Sequence, residues 1–213
     1  MQVYNEELSD ATRYIEHNKD KTLADYEPQF EVISKHVERY KHIDSNTRIL
    51  EIGCGTGWFP LLCKMKGLHC EGIEISPQLV EFSRNLGNQC GVQPDIRVGN
   101  IEEANIGISR YDVIVASNVF EHVQDWKTGI QKAFFALRPS GVFYFVSTNK
   151  FSFTSGEFEI PFYGWLPDRL RYFLRTLLQG NDIMKLGIDF NQFTYFGLKR
   201  FFAQLGFKHI DDF

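Results

Sequence analysis

From Arg48 onward, short apolar runs alternate with segments of helical length. Ile49–Ile52, Cys70–Ile75, Asp95–Val98, Tyr111–Ala116 and Val142–Ser147 have the length and flanks of strands. Between them, Phe59–Lys66, Leu79–Asn88 and Trp126–Leu137 place apolar residues at helical spacing, and Arg138-Pro139-Ser140-Gly141 closes the last of these. The runs Val113-Ile114-Val115-Ala116 and Val142-Phe143-Tyr144-Phe145-Val146 are apolar on both faces, as strands covered by helices on both sides must be. The pattern predicts an α/β fold: a Rossmann-like, doubly wound, mainly parallel sheet with helices on both faces.

The flanks read differently. Residues 1–24 are polar and weakly patterned, whereas Tyr26–Ile43 sets Phe30, Ile33, Val37 and Tyr40 at helical spacing before a stop at Asp44-Ser45-Asn46. Residues 1–47 are therefore expected to form a helical cap on a core spanning 48–149. Between Asn149 and Asp189 the alternation breaks, and Gly156, Pro161, Gly164, Pro167, Gly180 and Gly187 punctuate an aromatic segment. We read 150–190 as an insertion after the fifth strand. Within it Leu170, Phe173, Leu174 and Leu177 share one helical face and Arg171 and Arg175 another, the pattern of an amphipathic helix. Docking of its apolar face on the body is the expected arrangement, and contact with a membrane surface is the alternative. A helix at Tyr195–Leu205, stopped at Gly206 in left-handed fashion, and a final strand at Phe207–Phe213 complete residues 191–213.

Bulk properties narrow the chemistry. With 213 residues, 43% apolar and 23% charged, the chain has the size and balance of one globular domain. A net charge of -4 and a pI near 5.9 argue against nucleic acid as a partner, because phosphate backbones attract a basic face. Cys54, Cys63, Cys70 and Cys90 show neither paired spacing nor clustering with histidine, so no metal site is predicted, and reduced thiols point to the cytoplasm. Met1–Asp10 carries Glu6, Glu7 and Asp10, which does not suit a secretory signal. No run approaches the ~20 apolar residues of a transmembrane helix.

The most informative stretch is Ile49-Leu50-Glu51-Ile52-Gly53-Cys54-Gly55-Thr56-Gly57, which leads from a strand into a helix through three alternating glycines. Glycines permit positive φ and close backbone approach, and the helix that follows directs partial positive charge at a ligand. A dinucleotide site needs a third glycine where Trp58 stands, and Glu51 would repel a pyrophosphate. The same carboxylate attracts a sulfonium ligand bearing an ammonium group. At the second strand's tip, Glu74 offers two oxygens to ribose hydroxyls, with Ile75 beside the base; its other reading is a helix N-terminal acid before Pro77. Gly99-Asn100-Ile101-Glu102 follows the third strand and has the groups to meet an adenine edge, surface-loop residues being the alternative. Ser117-Asn118-Val119-Phe120-Glu121-His122-Val123 follows the fourth, where an open α/β sheet forms its ligand crevice. His122 is the histidine positioned there as a general base, or else as a capping or packing residue.

Taken in order, ILEIGCGTG, GIEIS, the GN after the third strand, YDVIVASNVFEHV and ALRPSGVFYFVST resemble the motifs of class I S-adenosylmethionine (SAM)-dependent methyltransferases across Arg48–Asn149. The subgroup most similar includes ubiquinone-biosynthesis O-methyltransferases and methyltransferases of surface-glycan clusters. The resemblance implies SAM as cofactor, with Gly53, Cys54, Gly55 and Gly57 around its carboxypropyl part and Glu51 at its amino group. It further implies Glu74 on the ribose, Ile75, Asn100 and Ile101 around adenine, and Ser117 and Asn118 facing the methionine part. His122 becomes the catalytic candidate, with Tyr163 and Trp165 of the insertion against a small-molecule, glycan or lipid-like acceptor, methylated on oxygen. Asn100 stands where the family often has aspartate. The family's sheet closes with a hairpin whose first arm would end near Phe213, so the chain is expected to be incomplete at its C-terminus. A nicotinamide-dependent oxidoreductase and a non-catalytic SAM-binding domain are the rival readings.

Overall fold

The computed structural model describes residues 11–153, 161–179 and 191–212. Five parallel strands, β1 (Arg48–Ile52), β2 (His69–Glu74), β3 (Asp95–Val98), β4 (Tyr111–Ser117) and β5 (Leu137–Val146), lie in the order β3-β2-β1-β4-β5. The chain winds outward to β3 and restarts at β4 on the other side of β1. Ile52 pairs with Ile73 of β2 and with Ala116 of β4, so three strand tips meet where the winding reverses.

Alternation along β1 sorts the two core layers. Leu50 and Ile52 join Ile114, Ala116 and Phe120 in one layer, covered by α5 (Trp126–Ala136) and by Leu198, Phe201 and Phe202 of α7 (Tyr195–Leu205). Ile49 joins Val113, Val115 and Tyr144 under α2 (Glu27–Glu38) and α3 (Trp58–Met65) in the other. The fourth helix, α4 (Pro77–Gln89), packs on β2 and β3. Tyr111–Ala116 is buried throughout, which is why β4 reads as apolar on both faces.

Several expectations are corrected. Helix α5 ends at Ala136, and Leu137 already opens β5, buried and paired with Tyr111; an irregularity in register then absorbs the turn-like Pro-Ser-Gly. The predicted strand at Phe207–Phe213 is absent from the described residues 207–212. Phe207 instead packs its ring against Phe134, Phe143 and Phe202, at centroid distances of 5.0, 6.1 and 5.4 Å, and this aromatic contact replaces a strand ladder. The weakly patterned N-terminus contains α1 (Thr12–Asn18) and a 3₁₀ turn at Leu23–Tyr26, closed by a reciprocal Thr22–Asp25 cap. In the predicted leading helix Phe30, Ile33 and Val37 are buried, while Tyr40 lies beyond its end, half exposed and bonded to Asp211.

The insertion helix α6 (Asp168–Gln179) inverts the predicted orientation. Arg171 is fully buried, whereas Leu170, Phe173 and Leu177 are exposed. The guanidinium lies over the rings of Tyr163 and Tyr172, at 5.7 and 5.6 Å, and bonds Asp168 at 2.8 Å. Ring faces and a carboxylate together compensate a buried planar cation. Predicted features at 154–160 and 180–190, including Gly156, Phe158, Gly180 and Gly187, lie outside the described residues, as does the Arg175 side chain.

At the opposite end of the sheet from the three tips, Asp112 ties layers together. It accepts from Arg48 N at 3.0 Å and Arg138 Nη1 at 2.8 Å, and pairs with Lys41 Nζ at 3.2 Å. These donors hold its carboxyl below the usual range against the effect of burial. Asp112→Ala orphans a strand-end N–H and two cations, and should lower unfolding stability by about 2–4 kcal/mol in urea titration. A change below ~0.5 kcal/mol would show that the cluster is solvated rather than structural.

Candidate functional site

Beyond Ile52 the backbone enters the left-handed region three times, at Gly53 (φ 67°), Gly55 (φ 53°) and Gly57 (φ 75°). At Gly53 space is as decisive as φ, because a Cβ would stand 2.4 Å from Val119 Cγ2 on the β4 loop. Gly53 N donates to Ile73 O at 2.7 Å, which seats the loop on the tip of β2.

Glu74 completes that seat. Its Oε2 accepts from Gly55 N at 2.8 Å and its Oε1 from Ser76 N at 3.0 Å. One side chain thus links the glycine loop to the exit of β2, and each oxygen keeps a further lone pair. Glu51 lies in the same pocket, buried like Glu74, and its Oε2 has no hydrogen-bond partner. Burial raises the pKa of both carboxyls, and the nearby Glu74 raises that of Glu51 further. Burial, followed by the same two carboxyls, pushes up the Cys54 thiol. A cation placed here satisfies the orphaned oxygen and relieves the like-charge repulsion. The ammonium of a bound amino acid fits this donor set.

Next to the loop opens a small cleft. Its lining brings together Gly53, Ile75, Asn100, Ile101 and His122 of the predicted site, with Ile52, Val119 and Val123 as apolar walls. Asn100 Oδ1 accepts from Glu102 N at 2.9 Å, which turns the chain and directs the amide's hydrogen-bonding capacity toward donation. Ile101 is largely a core residue, 5% exposed. Ser117 and Asn118 sit on the β4 tip outside the cleft lining, with Asn118 in left-handed backbone (φ 55°). His122 is half-buried at the end of a 3₁₀ turn, Phe120–His122. Tyr163 and Trp165 do not line this cleft: Tyr163 is fully enclosed, and Trp165 is 52% exposed, edge-on to Phe151 and Phe162.

Three contributors are given no role by sequence patterning. Asn191 donates from its side chain to Phe120 O (2.9 Å) and Val123 O (2.6 Å), and from its backbone to Glu121 O (3.0 Å), clamping the turn that carries His122. Glu121 is buried and accepts from Ser147 Oγ at 2.8 Å, fixing the turn to the exit of β5. Tyr14, from α1, approaches Gly55. Asn191 and Tyr14 lie outside every motif, Asn191 is separated from its partners by about seventy residues, and Glu121 lies within the motif after β4 but meets Ser147 only through the fold.

The family profile described as a methyltransferase domain matches residues 23–211. The chain belongs to that family. Its members of class I use SAM as methyl donor. Among curated relatives of this methyltransferase domain are ubiquinone biosynthesis O-methyltransferases. The one from Methylobacterium sp. (strain 4-46) is 28% identical over 125 residues, which cover 56% of this chain and 49% of that protein. The one from Xylella fastidiosa (strain 9a5c) is 31% identical over 134 residues, covering 62% and 52%. The chain thus spans about half the length of these relatives. Among solved structures, YcgJ from Bacillus subtilis superposes with a TM-score of 0.59 at 16% identity, over 81% of this chain and 66% of that one, a likeness of fold.

The acid pocket has a measurable consequence. Because the folded-state pKa of Glu51 lies above its ordinary 4.5, its contribution to stability is fully present below that value and is lost as pH rises through the folded one. Glu51→Gln removes the ionisation, so the ligand-free variant should lose less Tm than the parent between about pH 5 and 9, ending about 2–4 °C above it. Parallel Tm profiles would show that Glu51 ionises without cost.

Proposed function

We propose that this domain transfers the methyl group of SAM to an oxygen of a small-molecule acceptor, and that the acceptor is glycan or lipid-linked. The observation that supports this reading is the Gly55–Glu74 hydrogen bond, which joins the glycine loop to the acid at the tip of β2. SAM supplies an electrophilic methyl on its sulfonium. The protein's part is to hold and to orient. The glycine loop Gly53–Gly57 lies along the carboxypropyl chain, Glu51 receives the ammonium, and Glu74 keeps one lone pair per oxygen for ribose hydroxyls. Ile75 and Ile101 flank the adenine, and Asn100, its oxygen engaged by Glu102 N, donates to a ring nitrogen. The rival nicotinamide reading is disfavoured by Glu51, whose carboxylate would repel a pyrophosphate, and by Trp58, which stands where a dinucleotide loop has its third glycine.

His122 lines the cleft and serves as general base for an acceptor hydroxyl. Alignment of nucleophile and methyl supplies most of the rate, up to ~7–11 kcal/mol in favourable cases, and a base adds ~10²–10⁴-fold. The turn clamp through Asn191 and Glu121 limits how far the imidazole can drift.

The acceptor's apolar character is argued from the insertion. Phe151, Phe153, Phe162, Trp165, Phe173 and Leu177 are all exposed there, an unusual density of large apolar side chains outside a core. Phe153, Phe162 and Trp165 touch edge to face, so the surface is contiguous. It suits an acceptor with a long hydrocarbon chain, presented from or near a lipid surface. No described helix is long and apolar enough to cross a membrane. All four thiols are free, which fits a cytoplasmic setting.

Calorimetric titration should give saturable binding of SAM and none of NADH; binding of NADH alone would overturn the assignment. With His122→Ala, kcat should fall roughly 100-fold or more while the SAM Kd stays unchanged, and an unchanged kcat would remove His122 from the chemistry. Trp165→Ser combined with Phe162→Ser should raise KM for a long-chain acceptor several-fold and spare a truncated analogue. Equal effects on both acceptors would place the aromatic surface outside substrate recognition.

A further inference from the structure

Helix α1 is fastened to the elements that carry the glycine loop. At its start, Ala11 N donates to Gln78 Oε1 at 3.1 Å, in the first turn of α4. At its end, Asn18 is buried; its Nδ2 donates to Tyr14 O at 2.7 Å and its Oδ1 accepts from the Tyr26 hydroxyl at 2.9 Å. The Tyr26 ring in turn stacks on Trp58 with centroids 5.1 Å apart and planes within 6°, and Trp58 is the residue immediately after Gly57. A helix of only seven residues is thereby held at both ends.

The outcome of this fastening is the place of Tyr14. Its hydroxyl lies 3.3 Å from where a Cβ on Gly55 would stand, and its Cε1 lies 3.5 Å away. The residue is half exposed overall, yet the hydroxyl end reaches the acid pocket of Glu51, Glu74 and Cys54. The amino-acid end of SAM has two poles. Glu51 suits its ammonium, and both acids repel its carboxylate, so that carboxylate needs a hydrogen-bond donor brought from outside the acid pair.

We propose that Tyr14 is a donor-binding residue whose hydroxyl, held over Gly55 by α1, hydrogen-bonds the carboxylate of bound SAM. This rests on the donor assignment made above. Burial, reinforced by the neighbouring ionisable groups, pushes the phenol up to about 12, so it remains a proton donor at every pH at which the protein works. A hydrogen bond from a neutral phenol to a carboxylate is charge-assisted and is stronger than a neutral pair. It also couples cap and cofactor: α1 contributes to affinity only when the ligand carries the carboxylate.

Decarboxylated SAM, which keeps the sulfonium and the ammonium but lacks the carboxylate, isolates this contact. Tyr14→Phe should weaken SAM binding roughly tenfold by calorimetry and leave the Kd of decarboxylated SAM unchanged. Asn18→Ala, which loosens α1 without touching the pocket, should weaken SAM in the same selective direction. No loss in Tyr14→Phe, or equal loss for both ligands, would overturn the role of Tyr14 while leaving the donor assignment standing. A parent protein that binds neither ligand would overturn the donor assignment itself, and this inference with it.

Discussion

A single carboxylate organises the ligand end of this fold. By accepting Gly55 N and Ser76 N on its two oxygens, Glu74 closes the gap between the tips of β1 and β2 and holds a loop that has few side chains of its own to anchor it. The seating of the loop on the tip of β2 follows from that closure. Val119 presses on Gly53 from β4, so the third strand tip is drawn into the same constraint.

Burying Glu51 beside Glu74 is costly in the free protein. Neither carboxyl has a cation among the described residues, and the desolvation that raises the pKa of both also destabilises their ionised forms. Such an arrangement makes sense when a ligand brings the missing positive charge. On the proposed reading, an ammonium that enters beside Glu51 offsets this cost.

The acceptor side is built on other principles. Where the donor pocket is tight and hydrogen-bonded, the insertion presents aromatic surface outward and keeps its cation, Arg171, inside among rings. The turn bearing His122 is fixed not by its own strand but by Asn191 and Ser147, which lie beyond β5. The glycine loop and the turn bearing His122 therefore meet at one edge of the sheet while depending on distant parts of the chain.

The alternation of strands and helices, the glycine loop, the acid at the tip of β2 and the crevice after β4 are all legible in the sequence. Each depends on local spacing: glycines where φ must be positive, apolar runs where a strand is covered twice, an acid one step from a helix start. What local spacing does not carry is which face of an amphipathic segment turns inward or which remote groups meet. A 3.6-residue period marks Leu170, Phe173 and Leu177 as one face of α6, yet burial of Arg171 was decided by the rings of Tyr163 and Tyr172. Phe207 reads as a strand residue and was captured by an aromatic cluster. Tyr14 has no pattern around it and acquires its place through Asn18, Tyr26 and Trp58. The sequence alone determined the sheet and its ligand edge, because backbone conformation and hydrophobic period are local. Only the tertiary structure decided the orientation of the insertion helix and the cap over the loop, because those are choices among competing long-range contacts.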